Sequence, residues 1–447
     1  MSINTYAMSS PAMILNGLPL APTILNTHLI HIFVKLISRF KASLDGNPDS
    51  SGPYHQIFFI PDMPFCIQDP LLVQISIYTA ACFLSEKKHL EKQHSVFIKG
   101  QAIHMLNERL RSAEEATSDV AIAAVCQLII DEWYWGETHD LRAHLNGMRH
   151  FVAQMIKLRG GYRNLGLRGL LSKMIILPST DFGIAISFET QPYLQEGEDS
   201  QFEDSNSSTF KIAHSSPLVA ATASFASCAE PYGLHAAAAA ILDDVRFLIV
   251  LTISLPADPD AQQEQKLEST ARWIHDRINS LPEESPHVPE TSSSCSQGCS
   301  LARRTASSAN GVSNSPTAGG NSQASDKVQP DYVYQSIRQA ALIYTSAIAA
   351  RKPFSETCSL NDFYRLWATI WRVSLTVWRS MMGIFVWIEV CIMAPAMDTP
   401  HGRFVKSMFT IAALNMGIEN WTAASNALKG AVMLQAKLGR RSLETFV

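Results

Sequence analysis

Cysteine and histidine side chains often hold metals, and their spacing in this chain does not suit a metal site. The 447 residues include eight cysteines and 14 histidines. Cys295 and Cys299 are separated by three residues, and the C-x-x-C pair that usually begins a structural zinc site occurs nowhere. His28 and His31 lie one helical turn apart without a carboxylate nearby, whereas tetrahedral zinc needs three or four ligands. The sequence therefore predicts no metal site and no cofactor.

Motifs for nucleophilic catalysis and phosphate binding are also missing. The sequence contains no G-x-S-x-G elbow and no H-E-x-x-H pattern. Residues 159–166, RGGYRNLG, are rich in glycine but lack the Gly-Lys-Ser/Thr ending of a phosphate loop. Gly160 and Gly161 are better explained as the end of a helix, because glycine adopts the left-handed conformation at little steric cost. We therefore predict that the protein is not an enzyme and has no catalytic residue.

The aromatic residues allow two interpretations. Trp367, Trp371 and Trp378 repeat at spacings of four and seven residues, which is typical of a stripe buried in a helical core. Aromatic and histidine side chains also line pockets, as in a helical small-molecule-binding protein or an enzyme of unknown reaction. The residues that would surround such a pocket are Trp133, Trp135, His139 and His144. Core packing is the favoured interpretation, and the pocket is the alternative.

Helices must position these residues. Hydrophobic residues make up 47% of the chain and charged residues only 17%, which is typical of a densely packed protein. Asp69 and Pro70 provide a capping side chain and a first helical residue for a mainly buried helix over residues 71–85. Residues 120–130 are apolar except Gln127, which predicts a helix at the centre of the core. We predict an all-α fold, an irregular array of many helices that forms one large body.

Glycine and proline mark the ends of further helices. An amphipathic stripe over residues 141–155 predicts a helix that stops at the glycine pair. A short helix over residues 166–177 is expected to end at Pro178. Further helices are expected over residues 89–111, 235–251, 262–281, 332–351 and along the Trp-rich stretch 360–397. The apolar residues 381–397 are interrupted by Glu389, so they predict a buried helix and not a membrane span.

Composition divides the chain into four segments. Residues 1–19 are predicted to be a flexible N-terminus, and residues 282–330, rich in Ser, Pro and Gly, a disordered linker. Residues 20–281 and 331–447 are predicted to be two parts of one helical domain, the first with an acidic loop at residues 196–209. A long inserted loop costs little closure entropy, so the two parts can pack together.

The charge balance argues against direct binding to nucleic acids. Lys and Arg number 36 and Asp and Glu number 40, which gives a net charge of -4. A protein that binds nucleic acid unaided normally presents a basic face to the phosphates, and no dense basic stretch stands out here. The N-terminal apolar residues lack the positive flank of a secretory signal, and the scattered cysteines suit a reducing compartment. We therefore expect an intracellular protein that does not bind a membrane and reaches DNA only indirectly.

One segment carries an ordered motif of histidine, leucine, arginine and glycine residues. Its residues are His144, Leu145, Gly147, Arg159, Gly160, Gly161, Leu165, Gly166 and, further on, Asp181. In this order the motif resembles the regulatory domain of the fungal-specific transcription factors, and the similarity runs from about residue 69 onward. The resemblance implies a nuclear, all-α regulatory domain in which these residues have a structural or regulatory role.

Members of that family usually carry a small N-terminal zinc cluster, held by six cysteines, that reads the major groove. The sequence in hand does not contain that pattern of cysteines. The resemblance therefore implies a co-regulator that acts through other transcription regulators or co-activators, with a small effector and a dimer left open. A truncated gene model of a DNA-binding zinc cluster factor is the alternative.

A candidate phosphorylation site lies in the predicted linker. Ser307 follows Arg304 by three residues, a spacing that basophilic kinases favour, and a phosphate would add negative charge there. The basic pairs Arg303–Arg304 and Arg440–Arg441 are too short to predict nuclear import. Nuclear localisation is therefore expected from the resemblance alone, and the cytoplasm is the alternative.

Overall fold

The computed structural model describes residues 20, 23–45, 68–116, 118–136, 177–190, 192, 212–220, 223–256, 258–283 and 330–439. All regular structure in these ranges is helical, which confirms the all-α prediction. None of the helices in these ranges is long and apolar enough to cross a membrane.

Sixteen α-helices are found in the described residues. They are α1 Ile24–Asp45, α2 Pro70–Glu86, α3 Lys92–Leu110, α4 Ala113–Ala116, α5 Asp119–Trp135, α6 Leu177–Ser187, α7 Ala229–Tyr232, α8 Ala236–Ser254, α9 Ala261–Asn279, α10 Tyr332–Ala350, α11 Phe354–Thr357, α12 Leu360–Ile370, α13 Leu375–Ser380, α14 Met382–Ala396, α15 Gly402–Glu419 and α16 Trp421–Leu438. The predicted helices at 71–85, 89–111, 235–251, 262–281 and 332–351 agree with α2, α3, α8, α9 and α10 to within a few residues.

The first core is formed by α1, α2, α3 and α5. α2 starts where predicted, because Asp69 accepts a hydrogen bond from the Leu71 amide at 2.9 Å and Pro70 occupies the first turn. Arg109 of α3 donates to the other oxygen of Asp69 at 2.8 Å, which ties the two helices together. Every residue of α2 from 71 to 82 is buried, so this helix is enclosed on all sides.

The second core surrounds α14 and takes its other side chains mainly from α6, α8, α9, α10, α12, α15 and α16. Residues 382–393 of α14 are all buried, which confirms that this apolar stretch is a helix inside the fold. Tyr344 of α10 stacks on Trp387 of α14 with ring centroids 5.0 Å apart. The Tyr344 hydroxyl also donates to the Trp387 carbonyl at 2.9 Å, so α10 is fixed to α14 by both a ring contact and a hydrogen bond.

An irregular segment, residues 214–218, is buried between α14 and α16. A Cβ atom on Gly430 would lie 2.2 Å from the Leu218 carbonyl oxygen. A Cβ atom on Gly383 would lie 2.5 Å from the Ser215 carbonyl oxygen. Real side chains do not approach backbone so closely, and glycine at both positions lets the segment pass between the helices.

The two cores meet at Trp133 of α5. Its indole nitrogen donates to the Thr410 hydroxyl of α15 at 3.2 Å, and the Trp133 side chain is only 1% exposed. Lys406 of α15 donates to the Trp133 carbonyl at 3.3 Å and lies 4.6 Å from the centroid of its ring. Burial, together with the neighbouring charge of Arg403, lowers the pKa of Lys406 to about 8.

Two expectations are wrong, one about a helix end and one about the buried tryptophan stripe. Pro178 does not end a helix: α6 begins at Leu177, and Pro178 lies in its first turn, where the missing amide hydrogen costs nothing. The Trp-rich stretch 360–397 breaks into α12, α13 and α14. Because α12 ends at Ile370, the three tryptophans do not lie on one face of a single helix. Trp367 and Trp378 are buried, whereas Trp371 is 45% exposed.

Several predicted segments lie outside the described residues. They are the N-terminus 1–19, the amphipathic helix 141–155 with its glycine pair, the acidic loop 196–209 and residues 284–329 of the predicted linker. The first two residues of the predicted linker are described: the Tyr334 hydroxyl donates to the Pro282 carbonyl at 2.8 Å, and Arg365 donates to Glu283 at 2.5 Å.

Candidate functional site

A large cavity lies where the first core faces the start of α15. Its volume is about 820 Å³, and its walls come from the end of α2, the loop 87–91, the first half of α3, the end of α5 and Arg403 of α15. We call it the junction cavity. Small-molecule sites typically have volumes of roughly 300–1,000 Å³, so this cavity has the size of a ligand site.

Three side chains form a hydrogen-bonded group on the floor of the junction cavity. Glu132 of α5 accepts a hydrogen bond from the Tyr78 hydroxyl of α2 at 3.0 Å. Lys99 of α3 forms an ion pair with the same Glu132 oxygen at 2.6 Å. Each of the three helices therefore contributes one member, and the charge of Glu132 is balanced within the group.

Cys82 also lines the floor of the cavity. Burial, followed by the nearby charge of Asp131, raises the pKa of the Cys82 thiol to about 12. Burial likewise raises the pKa of Tyr78. Both groups are neutral at physiological pH, so Cys82 is not a nucleophile poised for catalysis.

A second candidate feature is an exposed group of aromatic rings on α12, on α15 and at their ends. Trp371, 45% exposed, and Phe404, 49% exposed, have ring centroids 5.0 Å apart. Trp367 lies beneath them, 5.4 Å from Trp371 and 5.9 Å from Phe404. Tyr364, 42% exposed, lies 5.8 Å from the ring of His401. We call these five residues the aromatic surface.

Arginines recur in the stretch of chain that carries Tyr364, Trp367 and Trp371 of the aromatic surface. In residues 359–379 the arginines recur every seven residues, at 365, 372 and 379, and Asp362 is the only acidic residue. Asp362 is used locally, since its carboxylate accepts from the Ser359 amide at the start of α12. Arg365 is paired with Glu283. Arg372 donates to the neutral Tyr332 hydroxyl at 3.0 Å, so its positive charge is not compensated by that contact. The surface thus combines exposed aromatic rings with the positive charge of Arg372.

The motif residues from His144 to Gly166 and the candidate phosphosite Ser307 lie outside the described residues. Asp181 is described and is buried in α6. Of the alternative pocket residues, Trp135 lines the junction cavity, whereas Trp133 is buried between the two cores. His139 and His144 are not described.

Sequence reasoning missed most of both features. Nothing in residues 85–92, SEKKHLEK, indicates a cavity, because its walls come from helices more than 300 residues apart in the chain. The exposure of Trp371 depends on where α12 ends, which periodicity does not define. Among the described residues, no group of three or more His, Cys, Asp and Glu side chains is placed to hold a metal ion.

Comparison with known families identifies the class of protein to which this chain belongs. The family model described as the fungal-specific transcription factor domain matches residues 28–348. The chain belongs to this family. Comparisons with curated proteins and with solved structures gave no match.

The match to the fungal-specific transcription factor domain differs in extent from the resemblance seen in the sequence. It starts earlier, at residue 28 in α1, and ends at residue 348 in α10. It therefore includes the first core and most of the cavity walls, while the aromatic surface lies beyond it. Membership in a transcription factor domain family places the function of the chain in transcription regulation and in a class that is not typically enzymatic.

Proposed function

We propose that this fungal-specific transcription factor domain regulates transcription by binding other transcription regulators or co-activators through the aromatic surface. The observation that carries the proposal is the exposure of Trp371 and Phe404 side by side. Large aromatic side chains are the residues that most often dominate the binding energy of protein interfaces. DNA is reached indirectly in this proposal, in keeping with the net charge of -4.

The partner segment is acidic and amphipathic. Rings of Tyr364, Trp371 and Phe404 would receive its apolar side chains, and Arg372 attracts its carboxylates. An apolar stripe on a short helix, with acidic residues on either side, has the complementary pattern. In a dimer formed through this surface, the second copy would present the same aromatic rings and arginine instead of acidic side chains. Such a dimer is therefore disfavoured.

Contacts between α9 and α10 favour one regulatory body made from residues 20–281 and 331–447. Arg338 of α10 donates to the Asn279 carbonyl at the end of α9, at 3.0 Å. In this proposal residues 282–330 connect the two parts, and the motif from His144 to Asp181 maintains the fold of the first. Phosphorylation of Ser307 would act on this connection, and an unchanged reporter output after Ser307→Ala would contradict that role.

Reporter activity in a fungal cell tests the proposed function. The full chain, fused to a heterologous DNA-binding domain, is expected to change transcription of a reporter that carries the matching operator. The double variant Trp371→Ser, Phe404→Ser is expected to reduce that effect by about tenfold, because two central interface anchors are removed. A fluorescent fusion is expected to be in the nucleus with either version.

A matched control removes two exposed aromatic residues elsewhere. Phe247 of α8 and Trp273 of α9 are 58% and 62% exposed and lie outside the aromatic surface. The variant Phe247→Ser, Trp273→Ser is expected to leave reporter output unchanged. Equal losses from both double variants, or no effect of the wild-type fusion on the reporter, would contradict the proposal. Light scattering of the purified chain separates partner binding from self-association.

A further inference from the structure

We propose that the junction cavity binds an organic monoanion, namely a carboxylate attached to an apolar, aromatic body. The proposal goes beyond the partner surface because it concerns different residues and a different ligand. It rests on the volume of the cavity, on the distribution of charge along its wall, and on the side chains that face one another across it.

The cavity wall contains more cations than acids: Lys88, Lys92, Lys99 and Arg403 against Glu86, Glu91 and Glu132. Glu132 is paired with Lys99 at 2.6 Å, and Glu86 is paired with Arg403. Glu91, the remaining acid in the wall, has His94 as its neighbour at 3.9 Å. Lys88, by contrast, has no acidic partner among the described residues. The cavity therefore attracts an anion and repels a cation.

The N-terminus of α3 adds to the positive potential in the junction cavity. Glu91 occupies the N-cap of this 19-residue helix, but its side chain makes no capping hydrogen bond. Lys92 and Ser95, in the first turn, both line the cavity. First-turn amides of a helix lack partners within the helix, and the helix dipole favours negative charge beside them. A carboxylate next to Lys88 would meet both the ammonium group and this helix end.

The backbone holds Lys88 at the cavity in a fixed turn. Lys88 has a positive φ of 59°, and its amide donates to the Ser85 carbonyl at 3.0 Å. The next amide, that of His89, donates to the Leu84 carbonyl at 2.8 Å. This arrangement ends α2 and directs the chain around the cavity into α3. Lys88 is thus part of a defined turn and not of a free loop.

Apolar side chains line the cavity near the charged ones. Trp135 at the end of α5, Leu90 in the loop and Val96 of α3 all belong to its wall. An indole ring next to aliphatic groups binds a flat apolar body by stacking and by burial of surface. The floor contributes neutral hydrogen-bonding groups, since burial keeps Cys82 and Tyr78 protonated. An anion with an aromatic body would contact both the charged and the apolar side chains of the cavity.

Three probes of equal shape and different charge test this inference. Isothermal titration calorimetry of the full chain is carried out with 2-naphthoate, 2-naphthylmethanol and 2-naphthylmethylamine. We expect 2-naphthoate to bind about tenfold more tightly than the neutral alcohol, and the amine to bind more weakly still. Equal affinity for the alcohol and the acid, or no detectable binding of any probe at about 1 mM, would overturn the proposal.

Variants locate the bound probe. Lys88→Gln removes the charge but keeps a polar side chain, and it is expected to weaken 2-naphthoate binding about fivefold without affecting the alcohol. Trp135→Leu is expected to weaken both. Lys352→Gln is the matched control, because Lys352 is an exposed lysine paired with Glu356 away from the cavity. Binding of 2-naphthoate that survives both cavity variants would place the anion elsewhere and refute the site.

Circular dichroism and thermal unfolding of each variant show that it is folded before titration. The readout is direct binding to the purified chain, so it does not depend on the aromatic surface or on transcription. A failure of this inference would therefore leave the proposed regulatory function intact, and a failure of the reporter experiment would leave this site intact.

Discussion

Buried acids in the two cores have opposite surroundings. In the first core, Asp131 accepts hydrogen bonds from the Thr79 hydroxyl at 2.8 Å and from the Gln127 amide at 3.3 Å. In the second core, Glu389 of α14 is 1% exposed, and neither of its oxygens has a hydrogen-bond partner among the described residues. Burial raises the pKa of Glu389 well above its usual value, because an ionised carboxylate there would have no compensating partner.

Two helical glycines, one in each region, have different surroundings. Gly100, on the exposed surface of α3 in the first region, has open space around it, whereas Gly430 on α16 of the second lies against the Leu218 carbonyl. The first region adds polar contacts between helices to its apolar core and borders an open cavity. In the second, close packing leaves no room for a methyl group at Gly430, and the described residues provide no partner for Glu389.

The largest expected effect is that of a methyl group at these glycines. Gly430→Ala is expected to lower the free energy of unfolding by about 3 kcal/mol or more, because the new Cβ would lie against the Leu218 oxygen. Gly100→Ala is expected to raise it by about 0.5–1 kcal/mol, because alanine is the better helix former and meets nothing. Urea denaturation measures both, and similar values for the two variants would remove the contrast in packing.

The next effect concerns the acids themselves. Glu132→Gln is expected to lower the free energy of unfolding by about 2–3 kcal/mol, because it leaves Lys99 in the cavity wall without its partner. Glu389→Gln is expected to raise it at pH 7, because the amide resembles the protonated acid and has no ionised form in the unfolded chain.

The pH dependence checks the sign of the Glu389 effect. Folded Glu389 keeps its proton to a higher pH than the unfolded side chain, so stability decreases as the pH rises above the unfolded value of 4.5. The Glu389→Gln variant lacks this decrease. Its advantage over the wild type must therefore grow between pH 5 and pH 7, and a constant difference would refute the assignment.

Lys406, where the two cores meet, gives an effect of the opposite pH sign. Its pKa is lowered from 10.5 to about 8, so between these values the folded protein binds fewer protons than the unfolded chain. Wild-type stability is expected to rise by about 2 kcal/mol between pH 7 and pH 10 from this residue. Lys406→Met is expected to abolish that rise, and an unchanged slope in denaturation series at the two pH values would contradict it.

The smallest effects concern helix caps of the two regions. Asp331→Ala removes the cap of α10, whose side chain accepts from the Tyr334 amide at 2.9 Å, and is expected to cost about 1 kcal/mol. Asp69→Ala removes both the cap of α2 and the contact with Arg109, and is expected to cost about 2 kcal/mol. Thermal unfolding compares the two, and equal shifts would show that Arg109 adds nothing.

Local signals in the sequence were sufficient for much of the helical structure. Asp69 and Pro70 define the start of α2, and Asp260, which accepts from the Gln263 amide at 2.7 Å, defines the start of α9 one residue before the predicted range. Capping depends on residues three apart, so it is readable from one sequence. Burial of α14 was also predictable, because an apolar run leaves no solvent face.

The features that local sequence patterns did not predict depend on contacts between residues far apart in the chain. Burial of residues 214–218 requires two glycines that are more than 160 residues away in the chain, and no periodicity marks them. Trp371 has the spacing of a core residue but lies beyond the end of α12. A helical period identifies a face, while a separate element must cover that face for it to be buried. The junction cavity takes Arg403 from α15, which is distant in sequence from the helices that form the rest of its wall.

The contact between Trp133 and Thr410 has a consequence for how the chain reaches its native state. These residues are 277 positions apart, and the Gln435 amide meets the Ile186 carbonyl across 249 positions. Such distant pairs form slowly, because much of the intervening polypeptide must be ordered before they contribute. Helices α5 and α6 bury apolar surface against α15 and α16, which are synthesised much later. An early pause in synthesis therefore leaves this apolar surface exposed, and chaperones must shield it.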